Sequence, residues 1–258
     1  MKVVILCGGF GTRLKEETEF KPKPLVTIGH MPILWHIMKI YSHYGYKDFV
    51  LCLGYKSNEI KNFFMTYDIL KHDFTLNLGN RKSAKVYHNS NLLEDWTITF
   101  AETGLETNTG GRIKKIEKHI KDDNFFMTYG DGLADLNINE LYKFHIKHKK
   151  IATLTSIQPT SRFGVLDFDK NGTVISFKEK PKLDGWINGG FFVLKKDVFD
   201  YIGENDVLEQ EPIRKLAKNN QLIAFQHKGF WECMDTHRDF EMLNKIWNSG
   251  NVPWKVWK

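Results

Sequence analysis

The stretch Val3-Val4-Ile5-Leu6-Cys7-Gly8-Gly9-Phe10-Gly11-Thr12-Arg13, followed by Lys21-Pro22-Lys23-Pro24, combines a glycine loop with two well-placed cations. Glycine has no Cβ, so its backbone N–H can come close to a phosphate oxygen. Arg13 and Lys23 can neutralise the charge that such N–H groups offset only in part. Together these residues suit a nucleoside triphosphate held by its phosphate tail. The loop is neither of the two common nucleotide motifs. No Lys-Ser or Lys-Thr follows the glycines at P-loop spacing. Leu14 stands where a dinucleotide fingerprint requires its third glycine.

Four further constellations carry possible chemistry. Tyr129-Gly130-Asp131-Gly132 follows an apolar run, and ligands of open α/β sheets bind at the carboxyl ends of such strands. A carboxylate between two glycines there can reach a metal ion unhindered, or it can simply make a turn. In Trp231-Glu232-Cys233-Met234-Asp235-Thr236, Asp235 reads as a helix N-cap, as a second metal ligand beside Asp131, or as both. Glu179-Lys180-Pro181 and Trp186-Ile187-Asn188-Gly189-Gly190 suit a phosphorylated acceptor, or the solvated end of a hairpin. Lys180, preceding a proline, is expected to be extended and can grip a phosphate. Glu179 can bind a hydroxyl pair, and Asn188 offers both donors and acceptors. In Glu102-Thr103-Gly104 and Thr109-Gly110-Gly111-Arg112, glycines allow a flat base to lie on the backbone. Arg112 is then free to meet the base or a phosphate, or is a surface side chain on a capped helix.

These groups need a frame. Val3–Cys7, Lys47–Leu53, Trp96–Ala101 and Phe125–Tyr129 read as strands. Pro32–Tyr44, Asn58–Thr66 with Ser57 as its cap, Gly111–Ile120 and Ile138–His148 read as helices. This alternation implies an α/β fold with a parallel sheet covered on both faces. The second half changes character. Gly164–Asp169 and Thr173–Lys180 form a hairpin around Asn171-Gly172. Asn188–Leu194, Leu222–Gln226 and Phe230–Met234 read as strands, with helices at Leu208–Lys218 and Thr236–Trp247. The expectation is a mixed, mostly parallel sheet with β-rich additions, in one domain. Residues 1–135 would bind the nucleotide and residues 136–258 the acceptor. The stretch Asp68–Ser90 has no firm pattern.

Composition narrows the classes. The 258 residues are 41% hydrophobic, enough for a large packed core. The net charge of +6 comes from 37 basic residues interspersed with 31 acidic ones. That mild excess suits anionic substrates better than nucleic acid. The basic run Lys143–Lys150 reads as the solvated end of a helix. Cys7, Cys52 and Cys233 have no C-x-x-C spacing and an odd count, which argues against a disulfide framework or a zinc site and suits a reducing cytoplasm. No apolar run approaches the length of a membrane helix.

The pattern Gly-Gly-x-Gly-Thr-Arg-Leu with Lys-Pro-Lys-Pro resembles the signature of the sugar-phosphate nucleotidyltransferases. The likeness runs nearly end to end. It includes Pro32–Met38, Thr128–Asp135, Arg162-Phe163-Gly164, Glu179–Pro181, Ile187–Phe192, Gly229–Trp231 and Met234–Thr236. The Trp35-His36 helix, Tyr-Gly-Asp-Gly and Asn-Gly-Gly-Phe-Phe resemble the cytidylyl branch most. The resemblance implies a Rossmann-like fold of the nucleotide-diphospho-sugar transferase type. It implies that Leu6, Gly8, Gly9, Gly11 and Thr12 cradle a triphosphate, and that Arg13 and Lys23 hold it and stabilise departing pyrophosphate. Asp131 and Asp235 would bind Mg²⁺. Thr103, Gly104 and Arg112 fall where the family recognises the nucleotide, and Glu179, Lys180, Asn188 and Gly189 where it binds the acceptor. The implied reaction moves CMP from CTP to α-D-glucose 1-phosphate, in a homo-oligomer that binds neither nucleic acid nor membrane. The link Lys182-Leu183-Asp184-Gly185 is about one residue shorter than the resemblance leads one to expect. A different sugar phosphate, or a phosphorylated amino acid such as glutamine phosphate, therefore stays open as acceptor. A non-catalytic nucleotide-binding regulator would be expected to lose the charged residues that are present here.

Overall fold

The computed structural model describes every residue except 68–72, 76–84, 87–93, 162 and 258. Most of the unpatterned stretch, and Arg162 of the Arg-Phe-Gly motif, lie outside the described residues. The first half comprises β1 (Lys2–Leu6), α1 (Lys15–Thr18), β2 (Thr27–Ile28), β3 (Met31–Pro32), α2 (Ile33–His43), β4 (Asp48–Leu53), α3 (Ser57–Thr66), β5 (Phe74–Thr75), β6 (Lys85–Val86), β7 (Thr97–Glu102), α4 (Thr109–Lys115) and β8 (Asn124–Tyr129). The second half comprises β9 (Gly132–Ala134), α5 (Ile138–His148), β10 (Ala152–Ile157), β11 (Val165–Phe168), β12 (Val174–Lys178), β13 (Ile187–Lys195), α6 (Glu211–Lys218), β14 (Leu222–Gln226), β15 (Trp231–Cys233) and α7 (His237–Asn248).

Seven strands form the central sheet in the order β14-β10-β13-β8-β1-β4-β7. β1 lies parallel to both β4 and β8, with Leu6 opposite Cys52 on one side and Tyr129 on the other. β13 runs antiparallel between β8 and β10, so the sheet is mixed and mostly parallel, as expected. The strands on either side of β1 follow it at different distances along the chain. This creates a crevice beyond its carboxyl end, where ligands of such sheets bind. The loops Gly8–Thr12 and Gly130–Gly132 both open there.

Two cores cover the faces. One packs α2, through Ile33, Leu34, Ile37, Met38 and Tyr41, on Val3, Ile5 and Phe126, and includes Leu243 of α7. The other packs Ile113, Ile116, Phe199 and Leu216 on Val4, Met127 and Phe192. Continuous apolar runs in β1 and β8 are what a sheet buried on both faces requires. The C-terminal Trp254 is fully buried beside Trp247 and His36, so it closes the first core. No described helix is long and apolar enough to cross a membrane.

Local details correct the expectations. The cap of α3 is Lys56, in the left-handed region at φ +50°, and Ser57 is already helical. α4 stops at Lys115 and a separate 3-10 turn, Glu117–His119, follows. α6 begins at Glu211 rather than Leu208, with Pro212 in its first turn. Within Lys143–Lys150, His145 is buried rather than solvated, held by Thr153 and Asn124.

Candidate functional site

The apolar pull of β1 into the sheet delivers Gly8 to the crevice, and the chain turns at once. Gly11 has φ +67°, a conformation open to glycine at little cost. Leu14 N–H closes that turn on the Gly11 carbonyl, and the Thr18 hydroxyl donates to the same oxygen. Among the described residues no acceptor meets the backbone N–H of Gly9, Phe10 or Gly11. These are the groups a phosphate cradle needs free. Arg13 stands at the rim, 74% exposed, and can swing toward an anion.

Lys23 lies in a short 3-10 turn between two prolines, which fix its backbone. Its Nζ bridges Asp131 Oδ2 at 2.6 Å and Asp235 Oδ1 at 2.5 Å, while Arg13 Nη1 meets Asp235 Oδ2 at 2.8 Å. Asp131 follows β8. Asp235 arrives through the antiparallel pairing of β15 with β9, which sets Cys233 opposite Gly132. Met234 N–H then bonds to the Asp131 carbonyl at 2.9 Å. Burial alone would push the Asp235 carboxyl up. The Lys23 hydrogen bond and the charges of Lys23 and Arg13 outweigh it and hold that carboxyl below its ordinary value. Lys23 is the mirror case, since burial lowers it but the Asp131 charge raises it overall. Asp235 is not the cap of α7. Thr236 is, in a capping box with Asp239, and this leaves the Asp235 side chain to the site.

Oxygens of Asp131 and Asp235 and the Cys233 sulfur lie within 4.8 Å of one another. Two converging carboxylates suit a hard divalent cation, and the Lys23 ammonium already fills the role of a positive charge between them. Burial, then the nearby carboxylates, push the Cys233 thiol up, which keeps it a neutral neighbour rather than a charged donor.

Arg112 has a different task from the surface one open to it in sequence. It is buried, and its guanidinium donates to the carbonyls of Leu53, Gly104, Gly8 and Leu105 and to the Thr103 hydroxyl. Thr103, also buried, donates in turn to Leu53 O at 2.6 Å. One planar cation thus ties the glycine loop, the end of β4 and the loop after β7 into one wall.

One cavity opens on this wall and a second opens beyond Asp235. The smaller, about 430 Å³, is lined by Leu6, Gly8, Gly9, Gly11, Thr12, Arg13, Lys23, Arg112, Tyr129 and Asp131, and by the loop Leu105–Thr109. The larger, about 570 Å³, is lined by Lys180, Lys182, His227, Trp231, Cys233, Asp235 and Arg238 among others. Asp131 lines one and Asp235 the other, so the carboxylate pair stands at their junction. Of the four acceptor-side residues expected, only Lys180 lines the larger cavity. Its backbone is left-handed at φ +45° rather than extended, and its Nζ lies 3.5 Å from Glu179. Asn188 turns the other way, toward Tyr129, while Gly189 accepts from Trp231 Nε1 at 2.7 Å. Sequence reasoning named Tyr129 and Thr109 only as members of Tyr-Gly-Asp-Gly and Thr-Gly-Gly-Arg, and missed Glu209, His227 and the loop Leu105–Asn108, none of which stands in a recognisable local pattern.

The family model for nucleotidyl transferases matches residues 2–248. The chain belongs to the nucleotidyl transferase family. It is 50% identical, over 262 residues and the whole of both chains, to a glucose-1-phosphate cytidylyltransferase of Salmonella typhimurium. It is 46% identical over 259 residues, again over both full lengths, to a probable glucose-1-phosphate cytidylyltransferase of Bacillus subtilis. HddC from Yersinia pseudotuberculosis shares the fold, with a TM-score of 0.69 and 24% identity over 95% of this chain and 99% of that one. As a nucleotidyltransferase the protein must hold two anionic reactants side by side. Lys23 and Arg13 are the cations set among the carboxylates where the two cavities meet.

Proposed function

We propose that the protein transfers CMP from CTP to α-D-glucose 1-phosphate, forming CDP-glucose and releasing pyrophosphate. The observation that carries this reading is the junction itself. A cavity under the glycine loop and a cavity beside Lys180 meet at Asp131, Lys23 and Asp235. The full-length likeness to glucose-1-phosphate cytidylyltransferases supports the choice of nucleotide and sugar.

An acceptor phosphate oxygen attacks the α-phosphorus of CTP. A new P–O bond forms, the bridging P–O bond breaks, and pyrophosphate leaves with its electron pair. A phosphate monoester is already nucleophilic near neutral pH, so alignment and charge neutralisation suffice. Asp131 and Asp235 would hold Mg²⁺, which when bound neutralises charge on the reacting phosphates. The Gly8–Thr12 loop receives the triphosphate, Arg13 and Lys23 neutralise the departing pyrophosphate, and Lys180 orients the acceptor phosphate. Residues 1–135 and 136–258 act as the nucleotide and acceptor halves of one domain, and each cavity draws its lining from one half. The three free cysteines suit a reducing cytoplasm. The working form is a homo-oligomer.

Pyrophosphate release with CTP and Mg²⁺, screened across phosphorylated acceptors, tests the reading. Glucose 1-phosphate should give the highest kcat/KM. A better rate with another sugar phosphate, or with a phosphorylated amino acid, would reassign the acceptor and keep the chemistry. No release with any acceptor would leave a nucleotide-binding regulator. Asp131→Asn should lower kcat at least about a hundredfold with its thermal midpoint preserved. Near-normal turnover in that variant would remove Asp131 from the cation site.

A further inference from the structure

The two carboxylate oxygens that converge at the junction are the two that the Lys23 ammonium holds. Its Nζ lies 2.6 Å from Asp131 Oδ2 and 2.5 Å from Asp235 Oδ1. The lysine side chain is only 12% exposed, so water and salt screen these pairs weakly. Arg13 meets the other Asp235 oxygen at 2.8 Å, but from the rim and in full contact with solvent. An ammonium and a divalent cation repel one another at the separation that sharing the same oxygens imposes. The carboxylate pair can serve one of them at a time.

Of the three groups, the lysine is the one that can move. Antiparallel β9 and β15 set Cys233 opposite Gly132, and Met234 N–H bonds to Asp131 O at 2.9 Å. The backbones of the two aspartates are therefore fixed relative to each other. The Lys23 backbone is fixed as well, by Pro22 and Pro24 and by Leu25 N–H on Pro22 O at 2.8 Å. Its flexible four-carbon stem keeps its rotations. A Cβ on Gly11 would stand 3.2 Å from Lys23 Cβ, so the stem starts against the glycine loop. Lys23 also lines the smaller cavity together with Gly8, Gly9, Gly11 and Thr12. Side-chain rotation alone can thus carry the ammonium from the carboxylates toward an anion held by that loop.

We propose that Lys23 is a built-in competitor for the cation site, an ammonium that must leave Asp131 and Asp235 before a divalent cation binds both. The inference rests on the reading of those two carboxylates as the Mg²⁺ ligands. Binding of a cation to the protein alone then costs two charge-assisted hydrogen bonds. An anion in the smaller cavity offers the ammonium new partners and leaves the carboxylates to the cation. Anion and cation therefore favour each other's binding through one side chain.

Calorimetric titration of the purified full-length protein with Mn²⁺ tests this, in the absence of nucleotide and acceptor. Mn²⁺ prefers the same oxygen donors as Mg²⁺. Lys23→Met should bind Mn²⁺ at least about tenfold more tightly than wild type. Arg13→Met should change the affinity less than about threefold, because an ion pair at the rim is strongly screened. Adding Asp131→Asn to Lys23→Met should cancel the gain. Thermal melting supplies a second readout. Lys23→Met leaves two carboxylates facing each other without their ammonium, so Mn²⁺ should raise its midpoint more than that of wild type. Lys23→Gln should shift in the same direction, and it decides the matter if Lys23→Met does not fold. Equal or weaker Mn²⁺ affinity in the Lys23 variants, or an equal gain in Arg13→Met, would overturn the inference while the transfer reaction stands. Mn²⁺ binding undiminished by Asp131→Asn would instead place the cation elsewhere and remove the reading on which the inference rests.

Discussion

Arg112 lines the smaller cavity, yet its guanidinium is turned onto protein oxygens around it. Its five contacts go to four carbonyls and one hydroxyl on three separate segments. A lysine carries the same charge but lacks the planar fork, and cannot reach all of them. Arg112→Lys should therefore leave buried carbonyls unpaired and cost about 2 kcal/mol or more. It should also raise the KM for CTP, because the glycine loop loses its tie to β4 and β7. Thermal melting and nucleotide kinetics on one preparation check both, and an unchanged melting point would refute the framework role. Gly-Gly-x-Gly-Thr-Arg and Gly-Asp-Gly were legible as site residues because strand and loop are adjacent in sequence. The task of Arg112 was not, since it depends on where four carbonyls from other segments lie.

At the scale of elements, two helices are pinned to the sheet region through buried imidazoles. His36 of α2 bonds to Ile28 O at 3.0 Å, and His145 of α5 lies between Thr153 and Asn124. Burial drives both down to about 4, and His145 also faces the Lys195 charge. The folded values lie below the ordinary histidine value near 6.5, so the unfolded chain binds more protons between the two. Their stabilising effect is fully present above about pH 6.5 and is lost as pH falls toward 4. Each contributes at most roughly 3 kcal/mol to this loss. The thermal midpoint should fall across that window, and His145→Gln should flatten the fall; a melting point level from pH 6.5 to 4 would exclude it. Asp235 is held low by Lys23 and Arg13, so its contribution persists until the pH drops below the usual carboxylate range. Helix positions such as Ile138–His148 were readable from periodicity. The caps at Lys56 and Thr236 were not, because neighbouring residues offer equally good local chemistry and only the entering chain direction separates them.

For the molecule as a whole, the hairpin β11–β12 stands apart from the central sheet. Phe168, Ile175 and Phe177 on it are 57%, 67% and 62% exposed. A lone two-stranded hairpin is marginal in water, and clustered exposed apolar side chains mark contact surfaces. With the proposed homo-oligomer, this hairpin is the element expected at the contact. Ile175 and Phe177, two residues apart, share one face. Replacing both with lysine should shift sedimentation toward the monomer, while the same assembly mass in wild type and variant would remove the hairpin from the interface.

Strand–helix alternation, the glycine loop, and Asp131 and Asp235 as residues of the site were legible in the sequence alone. Periodicity and glycine placement act over a few residues, so they can be read along the chain. The tertiary structure decided which of the remaining polar groups face the crevice. It spent the guanidinium of Arg112 on backbone carbonyls, turned Asn188 toward Tyr129, left Lys180 alone of its set on the larger cavity, and brought Glu209 to the wall. Those outcomes follow from the satisfaction of buried donors and acceptors by distant partners, and no local pattern encodes which partner will be near.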